Sequence, residues 1–169
     1  KNFTKNNLKK ISHSLREEQK KYDLLLGGGD TTFSNKLSFT ITSVGYSKKI
    51  IYRNHCYVNN DIYVTGNLGD SFVGLQVLKN KIKLNKSKTN YFINKYYMPD
   101  IQNKFSKKLL SLATSSMDVS DGLITDLNKL INKQNVSFKI YEKFIPVSRN
   151  LNNLIKSRNL KKIDLVSNG

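Results

Sequence analysis

Two hydrophobic periods alternate along this chain, and that alternation constrains its architecture more than any other feature. From Thr4, a candidate N-cap, Leu8, Ile11, Leu15 and Tyr22 recur at helical spacing, which predicts an amphipathic helix over roughly residues 5–21. Leu24 to Leu26 then form a short apolar run that stops at "GGGD". In "LSFTITSV", Leu37, Phe39 and Ile41 alternate with Ser38, Thr40 and Thr42, the period of a half-buried strand. A polar, basic stretch over residues 48–60 breaks the pattern. "DIYVTG" restarts a strand, and "GDSFVGLQVLKNKI" reads as a helix opened by Gly69 and Asp70.

The second half continues less regularly. Residues 79–94, rich in Lys and Asn, read as a solvated loop or weak helix that ends near Pro99. "NKFSKKLLSLAT" supplies another amphipathic helix and "MDV" a short strand. "DGLITDLNKLINK" is a helix with Leu123, Leu127, Leu130 and Ile131 on one face, while "VSFKIYE" and "KKIDLVSNG" close the chain as strands. Strands alternating with helices predict an α/β fold, mixed α+β in detail, without internal repeats.

Composition narrows the function classes. The chain has 169 residues, with 29 Lys and Arg against 12 Asp and Glu, a formal net charge of +17. Such a balance attracts polyanions, so nucleic acid, a membrane surface and phosphorylated small molecules enter as candidate partners. The lysines are scattered among Asn and Ile rather than gathered into a stripe, so no nucleic-acid partner is expected. No apolar run approaches the roughly 18 residues of a membrane span, and none is expected. Cys56 is the single cysteine, which excludes an internal disulfide and points to a reducing, cytoplasmic setting; its expected role is that of a small buried hydrophobe. His13 and His55 have no Cys or His nearby at zinc-motif spacing.

Three junctions place small or acidic residues just after a predicted strand. In "LLLGGGDTT", Gly27, Gly28 and Gly29 permit a sharp turn or a close backbone approach, and Asp30 and Thr31 supply oxygen. In "YVTGNLGDS", Gly66 and Gly69 lead into a helix start. In "SSMDVSDGLITDL", Asp118 leaves a strand and Ser120 and Asp121 open a helix. Each junction also has a plain structural explanation: a turn at the first, an N-cap at Asp70, and an N-cap at Ser120 or Asp121. Capping uses one side chain, however, whereas the third junction offers three oxygen-bearing residues in four positions. That surplus suits a hard cation such as Mg²⁺, which takes oxygen ligands and bridges carboxylates to phosphate.

At these residues the chain resembles a known family. "GGDTT", then "DIYVTGNLGDSFVGL", then "MDVSDGLITDL", in this order, are similar to the motifs of the thiamine-monophosphate kinases, in the superfamily of aminoimidazole ribonucleotide synthetase. The resemblance runs over nearly the whole chain. It implies direct transfer of the ATP γ-phosphoryl group to thiamine monophosphate, without a phosphoenzyme and without a nucleophile or base to assign. It implies Asp30, Asp118 and Asp121 as magnesium ligands, and Gly29, Asp30, Arg53 and Ser120 as ATP contacts. Asn54, His55 and Cys56 depart from the small residues that follow this arginine in the family.

The resemblance also implies two α/β domains, with residues 1–52 as the latter part of an N-terminal ATP-binding and dimerisation domain and 53–169 as most of the C-terminal domain. The family's N-terminal Gly-Asp-Asp metal loop and a "GGEDYEL"-like segment would lie outside the chain. A homodimer joined through the N-terminal domain is the expected assembly. Two other readings stay open: a sister-family ATP-dependent enzyme of the selenophosphate synthetase or hydrogenase maturation type, and a non-catalytic basic interaction module.

Overall fold

A computed structural model of the chain describes residues 3–168, apart from the side chains of Lys104 and Lys107. The chain divides after Tyr46 into two compact units. In the first, helix α1 (Lys5–Tyr22) begins as its sequence predicts: the Thr4 side chain accepts a hydrogen bond from the Asn7 amide at 3.3 Å. It ends at Asp23, which turns left-handed with φ 54°. The remainder of this unit is irregular.

The second unit carries six helices: α2 (Asp70–Leu78), α3 (Lys86–Tyr97), α4 (Asn103–Leu112), α5 (Leu123–Leu130), α6 (Arg149–Arg158) and α7 (Lys162–Val166), with a single 3₁₀ turn at Glu142–Phe144. Their ends follow local chemistry. Asn85 and Ser148 cap α3 and α6 through side-chain oxygens, accepting from the Lys88 amide at 3.0 Å and the Leu151 amide at 3.0 Å. Asn159, left-handed at φ 50°, stops α6. Pro99 follows α3 by two residues, as the break read from the sequence requires.

Two apolar clusters hold this unit. Val73, Phe92, Leu151, Leu154 and Leu165 are buried between α2, α3, α6 and α7, and Leu68, Leu123, Leu127, Ile145 and Val166 are buried beneath α5. Leu165 and Val166 are neighbours on α7 and enter one cluster each, so this short helix joins the two. Each such side chain contributes about 1.5–3 kcal/mol when fully buried. Gly74 lets α2 and α3 meet: a Cβ there would stand 2.2 Å from the Phe92 carbonyl oxygen.

The α/β expectation is not met. Among the described residues every regular element is helical, and none is a strand. The period-two stretches exist, but they lack the neighbour that makes a strand: pairing, not alternation, satisfies extended backbone. Leu37, Phe39 and Ile41 are 68%, 63% and 81% exposed, so their alternation separates no buried face from a wet one. "VSFKIYE" comes nearer, with Phe138 and Ile140 packed on the α5 cluster and Ser137 and Lys139 exposed, yet it forms no ladder. "KKIDLVSNG" is helix α7 over Lys162–Val166 rather than a strand. Residues 79–94, read as a loop or weak helix, contain most of α3, whose Phe92 is wholly buried.

Candidate functional site

The turn before α5 is built from Asp126. Helix α5 starts at Leu123 because Gly122, at φ 105° and ψ 157°, takes a backbone shape that other residues avoid, and its N-cap makes no side-chain hydrogen bond. Gly122 also lies against the chain's last described residues, since a Cβ on it would fall 2.2 Å from the Ser167 carbonyl oxygen. Neither Ser120 nor Asp121 caps the helix. Instead Asp126, one turn into α5 and 1% exposed, reaches back: its Oδ2 accepts the amides of Ser120 at 2.7 Å and Asp121 at 2.9 Å. This resembles a capping box in which a first-turn carboxylate serves the amides preceding the helix.

Lys129 completes the arrangement. Its Nζ donates to Asp126 Oδ1 at 2.8 Å and to Asp121 Oδ2, bridging a buried carboxylate and an exposed one. Burial by itself would push the Asp126 carboxyl up, but Lys129 and the two amides outweigh it and hold the group below the usual carboxylate range. Asp121, then Asp126, pull the Lys129 ammonium above its ordinary value.

Asp118 and Asp121 remain available to a ligand. Their side chains are 71% and 62% exposed, and each gives one oxygen to a basic partner, Asp118 Oδ1 to Arg53 Nη2 at 3.4 Å and Asp121 Oδ2 to Lys129. An exposed pair such as Arg53–Asp118 contributes only about 0–1 kcal/mol, so a phosphate or a cation can displace it. Arg53 is presented by a strap tied to the end of α5. Asn54, left-handed at φ 58°, donates its amide to the Leu130 carbonyl at 2.9 Å, and Gln134 accepts from the Cys56 amide at 3.1 Å while donating to its carbonyl at 3.0 Å. Of the residues that depart from the family pattern after Arg53, Asn54 and Cys56 fasten the strap through their backbone groups, and His55 meets Tyr57.

The structure therefore brings Arg53, Asp118, Ser120 and Asp121 together. Asp30 and Gly29 belong to the first unit, where both are exposed and Asp30 Oδ1 accepts the Thr31 amide at 2.7 Å. No Cβ placed on Gly27, Gly28 or Gly29 would meet another atom within 4 Å, so the triplet lies in open space in an irregular segment. Among the described residues no three His, Cys, Asp or Glu side chains gather into a metal cluster. The donor set before α5 still fits a hard cation, because Asp118 Oδ2 and Asp121 Oδ1 are carboxylate oxygens that no hydrogen bond or ion pair engages among those residues. Sequence reasoning missed Lys129 and Gln134; the spacing of Asp126 and Lys129, one helical turn apart on α5, was the signal for the first.

At the second junction Asp70 is not a cap either. Gly69 occupies the cap position at φ 87°, and the buried Asp70 accepts from Ser148 Oγ at 2.7 Å and Tyr91 Oη at 2.8 Å, pinning α2 to α6 and α3. Burial pushes its carboxyl up, against the hydrogen bonds from Ser148 and Tyr91 and the charge of Lys95.

No helix among the described residues is long and apolar enough to cross a membrane. No family model matches the chain. It is 37% identical over 155 residues to the thiamine-monophosphate kinase of Buchnera aphidicola subsp. Acyrthosiphon pisum (strain APS), an alignment covering 90% of this chain and 48% of that protein. In structure it is similar to the thiamine monophosphate kinase of Aquifex aeolicus, at TM-score 0.66 and 25% identity over 73% of this chain and 42% of that one. It is also similar to AaThiL complexed with AMPPCP and TMP, at TM-score 0.55 and 28% identity over 62% of this chain and 34% of that one. The chain spans about half the length of the curated relatives it matches. The resemblance read from its three motifs is therefore borne out: this chain is related to the thiamine-monophosphate kinases over 90% of its residues.

Proposed function

We propose that the protein represented by this chain transfers the γ-phosphoryl group of ATP to thiamine monophosphate, giving thiamine diphosphate. The observation that carries this is the relation to thiamine-monophosphate kinases over 90% of the chain. A solved relative holding AMPPCP, an ATP analogue, together with TMP supports the same pair of substrates.

The turn before α5 supports a division of labour. Ser120 offers a hydroxyl and Arg53 a guanidinium to the nucleotide phosphates, and Arg53 can leave Asp118 for them because that pair is weak. Asp118 and Asp121 would hold Mg²⁺ through their unengaged oxygens. The ion, when bound, supplies charge neutralisation on the phosphates, which phosphoryl transfer mainly needs. Gly29 is assigned to ATP, and Asp30 to ATP and Mg²⁺, on the strength of the "GGDTT" motif alone. A homodimer, resting on the resemblance, and a cytoplasmic location, resting on the lone Cys56, complete the reading.

A chimera tests it, with this chain replacing the aligned 155 residues of the Buchnera relative. Supplied with ATP, Mg²⁺ and thiamine monophosphate, it should form thiamine diphosphate, detected as its thiochrome derivative after chromatographic separation from that of the monophosphate. A chimera that hydrolyses ATP only with a different acceptor would assign the chain to a sister enzyme instead.

A further inference from the structure

Asp126 is the least exposed carboxylate among the described residues, yet nothing in the proposed chemistry uses it. Both of its oxygens are taken: Oδ2 by the Ser120 and Asp121 amides, Oδ1 by Lys129. A ligand cannot reach it without breaking these bonds. We propose that Asp126 is a positioning residue for the nucleotide- and metal-binding turn, fixing the backbone of Ser120 and Asp121 so that their side chains face outward in one arrangement. This rests on the reading of that turn given above.

The geometry supplies the reason. Residues preceding a helix have no intrahelical partners for their amides, and an exposed turn of this kind ordinarily surrenders them to water. Here two consecutive amides converge on one buried oxygen, which restrains both residues at once. The anchor belongs to α5, whose Leu123 and Leu127 are buried in the core, so the turn inherits the rigidity of that packing. Lys129 compensates the buried charge and ties the Asp121 side chain to the same anchor. Misplacement by about 1 Å can lower a phosphoryl-transfer rate on the order of 100-fold, so a fixed turn matters to the proposed reaction.

The experiment follows backbone amide exchange by NMR in this chain, together with paramagnetic broadening by Mn²⁺ as a reporter of hard-cation binding. In the wild type, the Ser120 and Asp121 amides should exchange at least tenfold more slowly than the amide of the exposed Thr40; equal rates would overturn the proposal without any variant. Asp126→Ala should abolish that protection and weaken Mn²⁺ broadening at Asp118 and Asp121 at least tenfold, while protection at Val73 and Leu154 persists. Asp126→Asn keeps one oxygen that can accept both amides and should restore most of both signals. Asp118→Asn should weaken Mn²⁺ while leaving the amide protection intact. Weakening in Asp118→Asn but not in Asp126→Ala overturns the positioning role and leaves the metal reading standing. Mn²⁺ broadening indifferent to every variant overturns both.

Discussion

Replacing Gly122 by Ala should be among the most damaging single substitutions in this chain, for two reasons that add. At φ 105° and ψ 157° an L-residue is strained, which typically amounts to about 1–3 kcal/mol. The new methyl would also stand 2.2 Å from the Ser167 carbonyl oxygen and 2.6 Å from the Asn168 amide nitrogen. Both are backbone atoms and cannot rotate aside, so the segment must move, at a further cost of about 1–3 kcal/mol. The sum, roughly 2–6 kcal/mol, is a large share of the roughly 5–15 kcal/mol that holds an ordinary domain. For a chain of this size it lowers the melting temperature by roughly 4–24 °C. Helical circular dichroism, followed through heat and urea, measures it. Gly45→Ala is the control, since a Cβ there meets nothing within 4 Å, and its effect should stay within about 0.5 kcal/mol. A Gly122→Ala chain that melts within about 1 °C of the wild type would refute the close approach of the Ser167 segment to this turn.

Three more outcomes are expected. In the chimera with the Buchnera relative, Asp118→Asn and Asp121→Asn should each reduce turnover or Mg-ATP affinity at least tenfold with little change in melting temperature; a large loss of stability at unchanged magnesium dependence would return these residues to structural roles. Asp70 gives a pH signature: burial raises its folded pKa above the unfolded value near 4, so the native state holds the extra proton and the stabilisation is lost as pH rises through that window. The stability difference between wild type and Asp70→Asn, from urea unfolding, should therefore shrink from about pH 4 upward, and growth of that difference would mean that the hydrogen bonds win. Ser167→Ala should leave stability unchanged or raise it by about 1 kcal/mol, because the Ser167 hydroxyl is buried without a hydrogen-bond partner among the described residues. A loss beyond about 1 kcal/mol would reveal a partner for it.

Helices were legible where an apolar stripe or a cap marked them. Thr4 marked the start of α1 by its cap, although none of that helix's residues is buried, and the "LITDLNKL" run marked α5 by its stripe, whose Leu123 and Leu127 are buried. Helix α6 carried signals of both kinds, Ser148 as cap with Leu151 and Leu154 at helical spacing, but its three Asn residues masked them. The strands were misjudged for a physical reason: alternation in "LSFTITSV" and "VSFKIYE" reports which side chains could share a face, while a strand exists only when another chain segment accepts its amides. The exposed members of the site, Arg53, Asp118, Ser120 and Asp121, came from the motif. Their supports did not, since the contacts from Lys129 and from Gln134 to Cys56 depend on how α5 ends and where the strap crosses it, which residue order alone does not encode.

The two buried aspartates separate structure from chemistry in a chain poor in acid. Asp70 and Asp126 both sit in the first turn of a helix that follows a positive-φ glycine, and both have their oxygens filled by neighbours. Their titration is displaced in opposite directions, upward for Asp70 and downward for Asp126. Burial raises both, and the partners that oppose it differ. Neutral hydroxyls of Ser148 and Tyr91 serve Asp70, with Lys95 acting only through space, whereas an ammonium and two amides touch Asp126 directly. Hydrogen bonds to a charged group are roughly twice as strong as neutral ones, and only Asp126 has a cationic donor. Asp126 is therefore firmly ionised near neutral pH, where the proposed magnesium and ATP chemistry would run, and its hold on Ser120 and Asp121 does not slacken there. Asp70 is the joint between helices, and Asp126 is the support on which the exposed carboxylates are displayed.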